Sequence, residues 1–190
     1  MEKIYDLCLA PSAAALDIAG ILDGERLLRL HPHWYVDAVE PRQEGLAASL
    51  RDHATGLAFS PVVRLEAAPE TGDGDTRRPV MRLLVSGYRA DELFFFAEGD
   101  RSRVLVRYPA DMVSEEDEQD VQLWIRAIQE YLRLYTVTTP RTLFFRLLMN
   151  RVILPMNPSQ RKICLMIARI TVIELVVILI LVLGYTWYLH

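Results

Sequence analysis

The chain has 190 residues, 52 % hydrophobic and 24 % charged, with a formal net charge of −4. That charge is unevenly divided: from Thr136 onward Arg141, Arg146, Arg151, Arg161, Lys162 and Arg169 stand against Glu174 alone, giving +5, while the front holds 15 basic and 24 acidic residues, giving −9. A front part this acidic excludes a nucleic-acid binder, which needs clustered Lys and Arg against phosphate, and its length suits one domain of ordinary size.

The opening MEKIYDLCLAPSAAALD places Glu2, Lys3 and Asp6 around a short apolar patch, unlike the basic start and long apolar run of a signal peptide. Lys3 to Leu9 is expected as a strand ended by Pro11. Ser12 is expected to cap a short helix that Gly20 stops, and Asp23 a second one, GERLLRL, ending before Pro32. His33 to Glu40 follows as a strand closed by Pro41, then Leu46 to Ala54. In Leu57 to Ala67 the alternation of Leu57, Phe59, Val63 and Leu65 with polar residues predicts a half-buried strand.

Asp73-Gly74, at the tip of ETGDGDTRR, signals a hairpin. Its return strand runs from Val80 to Gly87, with Met81, Leu83 and Val85 facing opposite to Arg82. A second hairpin turns at Tyr88 to Asp91 into Glu92 to Ala97. A third turns at Glu98-Gly99-Asp100 into Ser102 to Tyr108, where Val104, Val106 and Tyr108 oppose Arg103 and Arg107. Consecutive hairpins make an antiparallel meander, since a parallel sheet would need a helix between strands.

At Ser114 the period changes. Ser114 and Asp117 have capping-box-like spacing, and the acids of SEEDEQD favour a helix N-terminus, otherwise reading as a solvated helix start. Val121, Trp124, Ile125, Ile128, Tyr131, Leu132 and Tyr135 recur at three and four, so this long helix has a broad apolar face that must lie on the sheet. A linker over 136–141 leads to TLFFRLLMNRVIL, expected as an amphipathic helix over 142–155 lying in a membrane interface. Arg146 and Arg151, with Arg161 and Lys162 beyond, would reach lipid head groups there. Pro155 and Pro158 break it.

The stretch over 163–189 is apolar almost throughout, carries Tyr185, Trp187 and Tyr188 at one edge and basic residues at the other, and predicts a single transmembrane helix. With all six basic residues on its N-terminal side, the positive-inside rule keeps the front domain cytoplasmic. Glu174 is costly inside a span, and Arg169, five residues away, is badly placed to meet it. It therefore marks a contact with a membrane protein partner through this helix, or a wet site near the interface. Cys8 and Cys164 form neither a disulfide framework nor a zinc spacing, in keeping with a reducing compartment.

Catalytic motifs are absent. There is no Gly-rich phosphate loop, nucleophile elbow or standout carboxylate pair, and Ser49, Ser60 and Asp52-His53 belong to no recognisable arrangement, so neither cofactor nor enzyme activity is indicated. His31 and His33 point the same way on an extended segment, as two metal ligands would, with Asp37 on the same strand face as His33. Nothing completes a site, however, and a structural or ligand-contacting role is the better reading.

The order strand, two short helices, antiparallel meander and long C-terminal helix resembles the START-like (SRPBCC) superfamily. The resemblance rests on PSAAALDIAGILDGERLLRLHPHWYVDAVEP and on FFFAEGDRSRVLVRYP with the helix behind it, and covers 1–135. It implies an α+β helix-grip fold, a curved antiparallel sheet around the long helix, with an apolar pocket between them for a lipid, quinone or isoprenoid. The pocket residues it proposes are Leu57, Phe59, Val63, Leu65, Met81, Leu83, Val85, Phe94, Phe96, Val104, Val106 and Tyr108 from the sheet and Trp124, Ile128 and Tyr131 from the helix. The same residues suit a solid core equally well, because apolar periodicity marks burial alone. Two functions follow: a membrane-anchored binder of a hydrophobic small molecule, or a non-catalytic accessory or assembly subunit of a membrane complex.

Overall fold

The structure, a computed structural model, describes residues 1–7, 9, 17–43, 45–67, 77–98, 101–109 and 113–189. It divides into two units, Met1–Pro155 and Met156–His190.

In the first unit the alternating segments become β1 (Glu2–Asp6), β2 (Trp34–Arg42), β3 (Gly45–Asp52), β4 (Ala58–Phe59), β5 (Val62–Ala67), β6 (Arg77–Ser86), β7 (Glu92–Glu98) and β8 (Arg101–Arg107). They form one antiparallel sheet in the order β1-β8-β7-β6-β5-β3-β2, with β4 beside β3. Helices α1 (Ile18–Ile21) and α2 (Gly24–Leu30) connect β1 to β2, and α3 (Glu115–Thr136) follows β8. This is the α+β arrangement expected, one sheet and one long helix.

Register decides which side chains reach the core. Val63 pairs with Val85 and Leu65 with Leu83. Leu83 then pairs with Leu93 and Met81 with Phe95, and Leu93 with Val106 and Phe95 with Val104. Val121, Trp124, Ile125, Ile128, Tyr131 and Leu132 of α3 are buried in the same core as these strands. Six such side chains contribute on the order of 10 kcal/mol relative to leaving them in water, as an upper figure. The Trp124 indole N–H donates to Leu27 O at 2.7 Å, so α3 is also keyed to α2 by a buried hydrogen bond.

The opposite face of the sheet is laced by charge. Glu2, Arg107, Glu92, Arg82, Glu66 and Arg64 alternate in sign across β1, β8, β7, β6 and β5, with successive contacts of 2.8, 2.7, 2.5, 3.7 and 3.0 Å. At one sheet edge, β2 departs from its register with β3 between Val36 and Ala38. Pro41 sits within this edge strand, where its missing N–H leaves no ladder partner wanting. Gly45, at φ 148°, closes the β2–β3 hairpin; a Cβ there would stand 2.4 Å from Val63 O.

Several boundaries differ from the sequence reading. Asp17 caps α1, its carboxylate accepting from Gly20 N at 2.9 Å, so Gly20 lies inside a helix where a stop was expected. Asp23 does cap α2, accepting from Arg26 N at 2.7 Å. The single strand expected over 57–67 is two, separated by Ser60 and Pro61, because proline has no N–H to carry the ladder through. The helix expected from Ser12, the Asp73-Gly74 tip, the Gly99-Asp100 turn and Cys8 lie outside the described residues.

After α3 the chain forms α4 (Pro140–Leu148) and a π-helical turn, Met149–Ile153. Pro140 occupies the first turn of α4, and Thr139 and Thr142 cap it reciprocally, which starts it earlier than expected. Both elements belong to the first unit. In the second unit, α5 (Pro158–Leu189) is one continuous helix, and its 30 residues Pro158–Trp187 are long and apolar enough to cross a membrane.

Candidate functional site

The start of α3 is built from the acids that the sequence presents as a solvated cap. Ser114 Oγ accepts from Asp117 N at 3.1 Å. Beyond that cap the acids reach outward to other elements. Glu118 pairs with Lys3 of β1, which holds its carboxyl below the usual range. Asp117 meets Arg89 Nε at 2.9 Å. Asp120 stands one turn before Trp124, in line with the buried stripe, and is largely enclosed.

Three groups converge on Asp120. The Tyr88 hydroxyl donates to Oδ2 at 2.7 Å, Arg89 lies 3.8 Å from the same oxygen, and His31 Nε2 is 3.2 Å from Oδ1. Burial pushes the Asp120 carboxyl up, but His31, Tyr88 and Arg89 together outweigh it, and the net effect is a carboxyl held below its ordinary value. Burial also drives the Tyr88 phenol well up, reinforced by the Asp120 charge. His31 is fully buried and stacked on Trp34 at 4.0 Å between ring centres. Its Nδ1 accepts from His33 N at 3.3 Å. Its Nε2, 3.2 Å from Asp120 Oδ1, has no other partner among the described residues, and through this contact the two groups act on each other's ionisation. Burial lowers the His31 pKa against the opposing pull of Asp120, so the ring is neutral at pH 7.

Beside this cluster, at one end of the sheet, the β3–β4 turn, the β6–β7 turn and the start of α3 enclose a half-open cavity of about 340 Å³. Trp34, Phe59 and Tyr88 wall it, with Leu57, Asp52 and Asp120 also lining it. The Trp34 ring is 4.7 Å from Tyr88 and 5.4 Å from Phe59, nearly perpendicular to both, whereas Phe59 and Tyr88 lie parallel at 6.1 Å. Such a space is at the small end of ligand cavities and predominantly apolar, with a few placed charges.

The pocket residues expected from sequence are distributed differently. Val63, Met81, Leu83, Val85, Val104, Val106, Tyr108, Trp124, Ile128 and Tyr131 all join the one hydrophobic core and pack against each other. Leu57, 64 % exposed, and Phe59, half-buried, line the cavity. Leu65 is 38 % exposed at the edge of the core face. Phe94 and Phe96 are on the other face of the sheet, stacked on each other at 5.9 Å. Leu93 and Phe95 take the core positions, their phase fixed by pairing with Val106 and Val104. Trp34, Tyr88, Arg89 and Asp120 were not in the expected set. A charged residue in register with an apolar helical stripe is the signal that singles out Asp120, and the strand alternation of Trp34 with Val36 is the one for Trp34.

The basic residues expected at lipid head groups also separate. Arg146 turns to α3: its guanidinium donates to Leu134 O at 2.8 Å and Val137 O at 3.3 Å and lies over the Tyr135 ring at 4.5 Å, satisfying carbonyls at the helix C-terminus. Asn150 is likewise occupied, accepting from the Tyr131 hydroxyl at 2.8 Å and donating to Tyr135 Oη at 3.1 Å. Arg151 and Lys162 are exposed, and Arg161 donates to Met156 O at 3.0 Å. Glu174 lies exposed on α5. His31 and His33 form an edge-on ring pair at 5.8 Å. Among the described residues there is no group of three His, Cys, Asp or Glu side chains able to hold a metal.

No protein-family model matches the sequence, and no curated protein matches it significantly. Among solved structures, one described as "Crystal structure of Ara h 8.0201" is similar at 18 % identity, over 70 % of this chain and 95 % of that one, with a TM-score of 0.35. So loose a likeness carries no argument about function.

Proposed function

We propose that the chain is a START-like binder of a small hydrophobic molecule, anchored in a membrane by α5 with its first unit on the cytoplasmic side. The observation that carries the ligand part is the half-open, aromatic-walled cavity of about 340 Å³. Its size limits the occupant. A molecule of a dozen or so non-hydrogen atoms fits, or the end of a larger one, whereas a whole diacyl lipid does not. Because the sheet and α3 share a packed core, the ligand enters at the end of the sheet rather than between sheet and helix.

The anchoring rests on α5, whose apolar side chains are exposed, Leu165 at 71 % and Leu181 at 67 %. The exposed Leu143, Phe144 and Leu147 of α4 add an apolar strip suited to a bilayer interface, with Arg151 and Lys162 available to head groups. Native mass spectrometry of the full chain released from detergent tests the ligand. A bound small apolar mass displaced by substituting Trp34 or Phe59 supports the reading, and an empty protein that takes up no apolar probe overturns it.

Glu174 favours a second reading, in which α5 pairs with another membrane helix as part of a complex. A carboxyl in an apolar helix wants a donor from a partner. Purification in mild detergent separates the two: co-migration with fixed partners, lost in Glu174→Leu, belongs to the accessory-subunit reading.

A further inference from the structure

The charges lining the cavity narrow the ligand. We infer that it carries a cationic amine or alkylated ammonium group, seated against Phe59 and Tyr88 and facing Asp52. This rests on the cavity being a ligand site, as proposed above, and goes further in assigning the sign of the ligand's charge.

Asp52 ends β3 opposite Trp34 and lines the cavity although it is only 6 % exposed. Its Oδ1 accepts from Ala54 N at 2.7 Å, and no basic side chain among the described residues pairs with it. Asp120, the second carboxylate of the lining, is matched by Arg89 and Tyr88, and Arg89 is further engaged by Asp117. The lining therefore holds two carboxylates against one guanidinium and leaves Asp52 uncompensated. A buried carboxylate without a counter-charge is expensive, and a ligand cation that supplies one relieves that cost. Phe59 and Tyr88 are half-buried in the same lining, and a cation seated over the face of either ring gains from its quadrupole to about 6 Å from the centroid. An anionic ligand, such as a fatty carboxylate, would bring like charge against Asp52 and is disfavoured on the same ground.

The test uses the full chain in an uncharged maltoside detergent and three probes of equal chain length: hexyltrimethylammonium, hexan-1-ol and hexanoate. Binding is followed by saturation-transfer NMR and calorimetry. The expected order is ammonium tightest, by about tenfold over the alcohol, with hexanoate weakest. In Asp52→Asn the preference for the ammonium over the alcohol falls towards one, and Phe59→Leu diminishes it. If the alcohol and the ammonium bind alike, or hexanoate binds tightest, the charge assignment is overturned while the hydrophobic-ligand reading stands. If none of the three binds, both fail. The wild-type comparison is decisive on its own should a variant not fold.

Discussion

The two units draw on the same aliphatic residues and dispose of them in opposite ways. In Met1–Pro155 one alternate set of strand leucines and valines and the apolar stripe of α3 are turned into one core, and charge lies on the far side of the sheet. In Met156–His190 the same side chains stand outward all round α5, from Ile170 at 48 % to Leu165 at 71 % exposed. One helix face buried and one face wet is the pattern of a helix solvated by water. A helix apolar on every side is solvated by something else. What distinguishes the units is therefore both the placement of polar residues and how densely the apolar ones are set.

The contrast is broken most directly by asking where the protein goes. Full-length chain expressed with membranes is expected to remain almost wholly with the vesicles after carbonate extraction; recovery in the aqueous fraction would mean that α5 is covered by protein. Within the first unit the largest effect is expected from Trp124→Ala, which empties the centre of the core and abandons Leu27 O. A loss of about 4 kcal/mol should appear in urea unfolding, and a loss under 1 kcal/mol would show that the helix is not seated as described. Tyr88→Phe keeps the ring at the cavity and removes the 2.7 Å bond to Asp120, with an expected cost of about 1–2 kcal/mol. Arg146→Leu should cost about 1 kcal/mol by uncapping α3 without weakening membrane association. Reduced vesicle binding in that variant would instead return Arg146 to the head groups.

The mildest test is acid. His31 is depressed by burial, so the unfolded chain takes up a proton near pH 6.5 before the folded one does. Stability from this group is full above pH 6.5 and declines as pH falls towards the lower folded value. Asp120 acts in the same direction further down, its contribution being lost below the ordinary carboxyl value. Urea midpoints should therefore fall from pH 7.5 to 5, and His31→Gln should flatten that slope. An unchanged slope would show that folding does not shift the His31 pKa.

The capping and periodicity signals of two helices held. Ser114 and Asp23 cap the helices they were expected to cap, and the stripe from Val121 to Leu132 is buried as its period requires. Where the outcome depends on a partner far along the chain, residue patterns said less. Within Leu93-Phe94-Phe95-Phe96 no residue marks a face; Glu92, in phase with Phe94 and Phe96, is the local mark, and pairing with β8 agrees with it in placing Leu93 and Phe95 inside. Arg146 among bulky apolar neighbours reads as a membrane-surface residue until the open carbonyls of α3 are placed beside it. The cavity was the least legible feature, since it is made by two turns and a helix start that meet only in three dimensions. Of its lining, the sequence reading reached Leu57 and Phe59 through strand alternation, left unused the alternation of Trp34 with Val36, and passed over Tyr88, which sits in a turn and carries no period.

The irregular edge at β2 matters most if many copies share a membrane. Confinement to a surface raises encounters between neighbours, and an open strand offering a full row of amides would recruit the next copy into an ever-growing ribbon. Pro41 removes one donor from that row, and the slip in register beside Asp37 bends the strand out of line. Crowded molecules can thus slide past one another on that side without fusing into fibres.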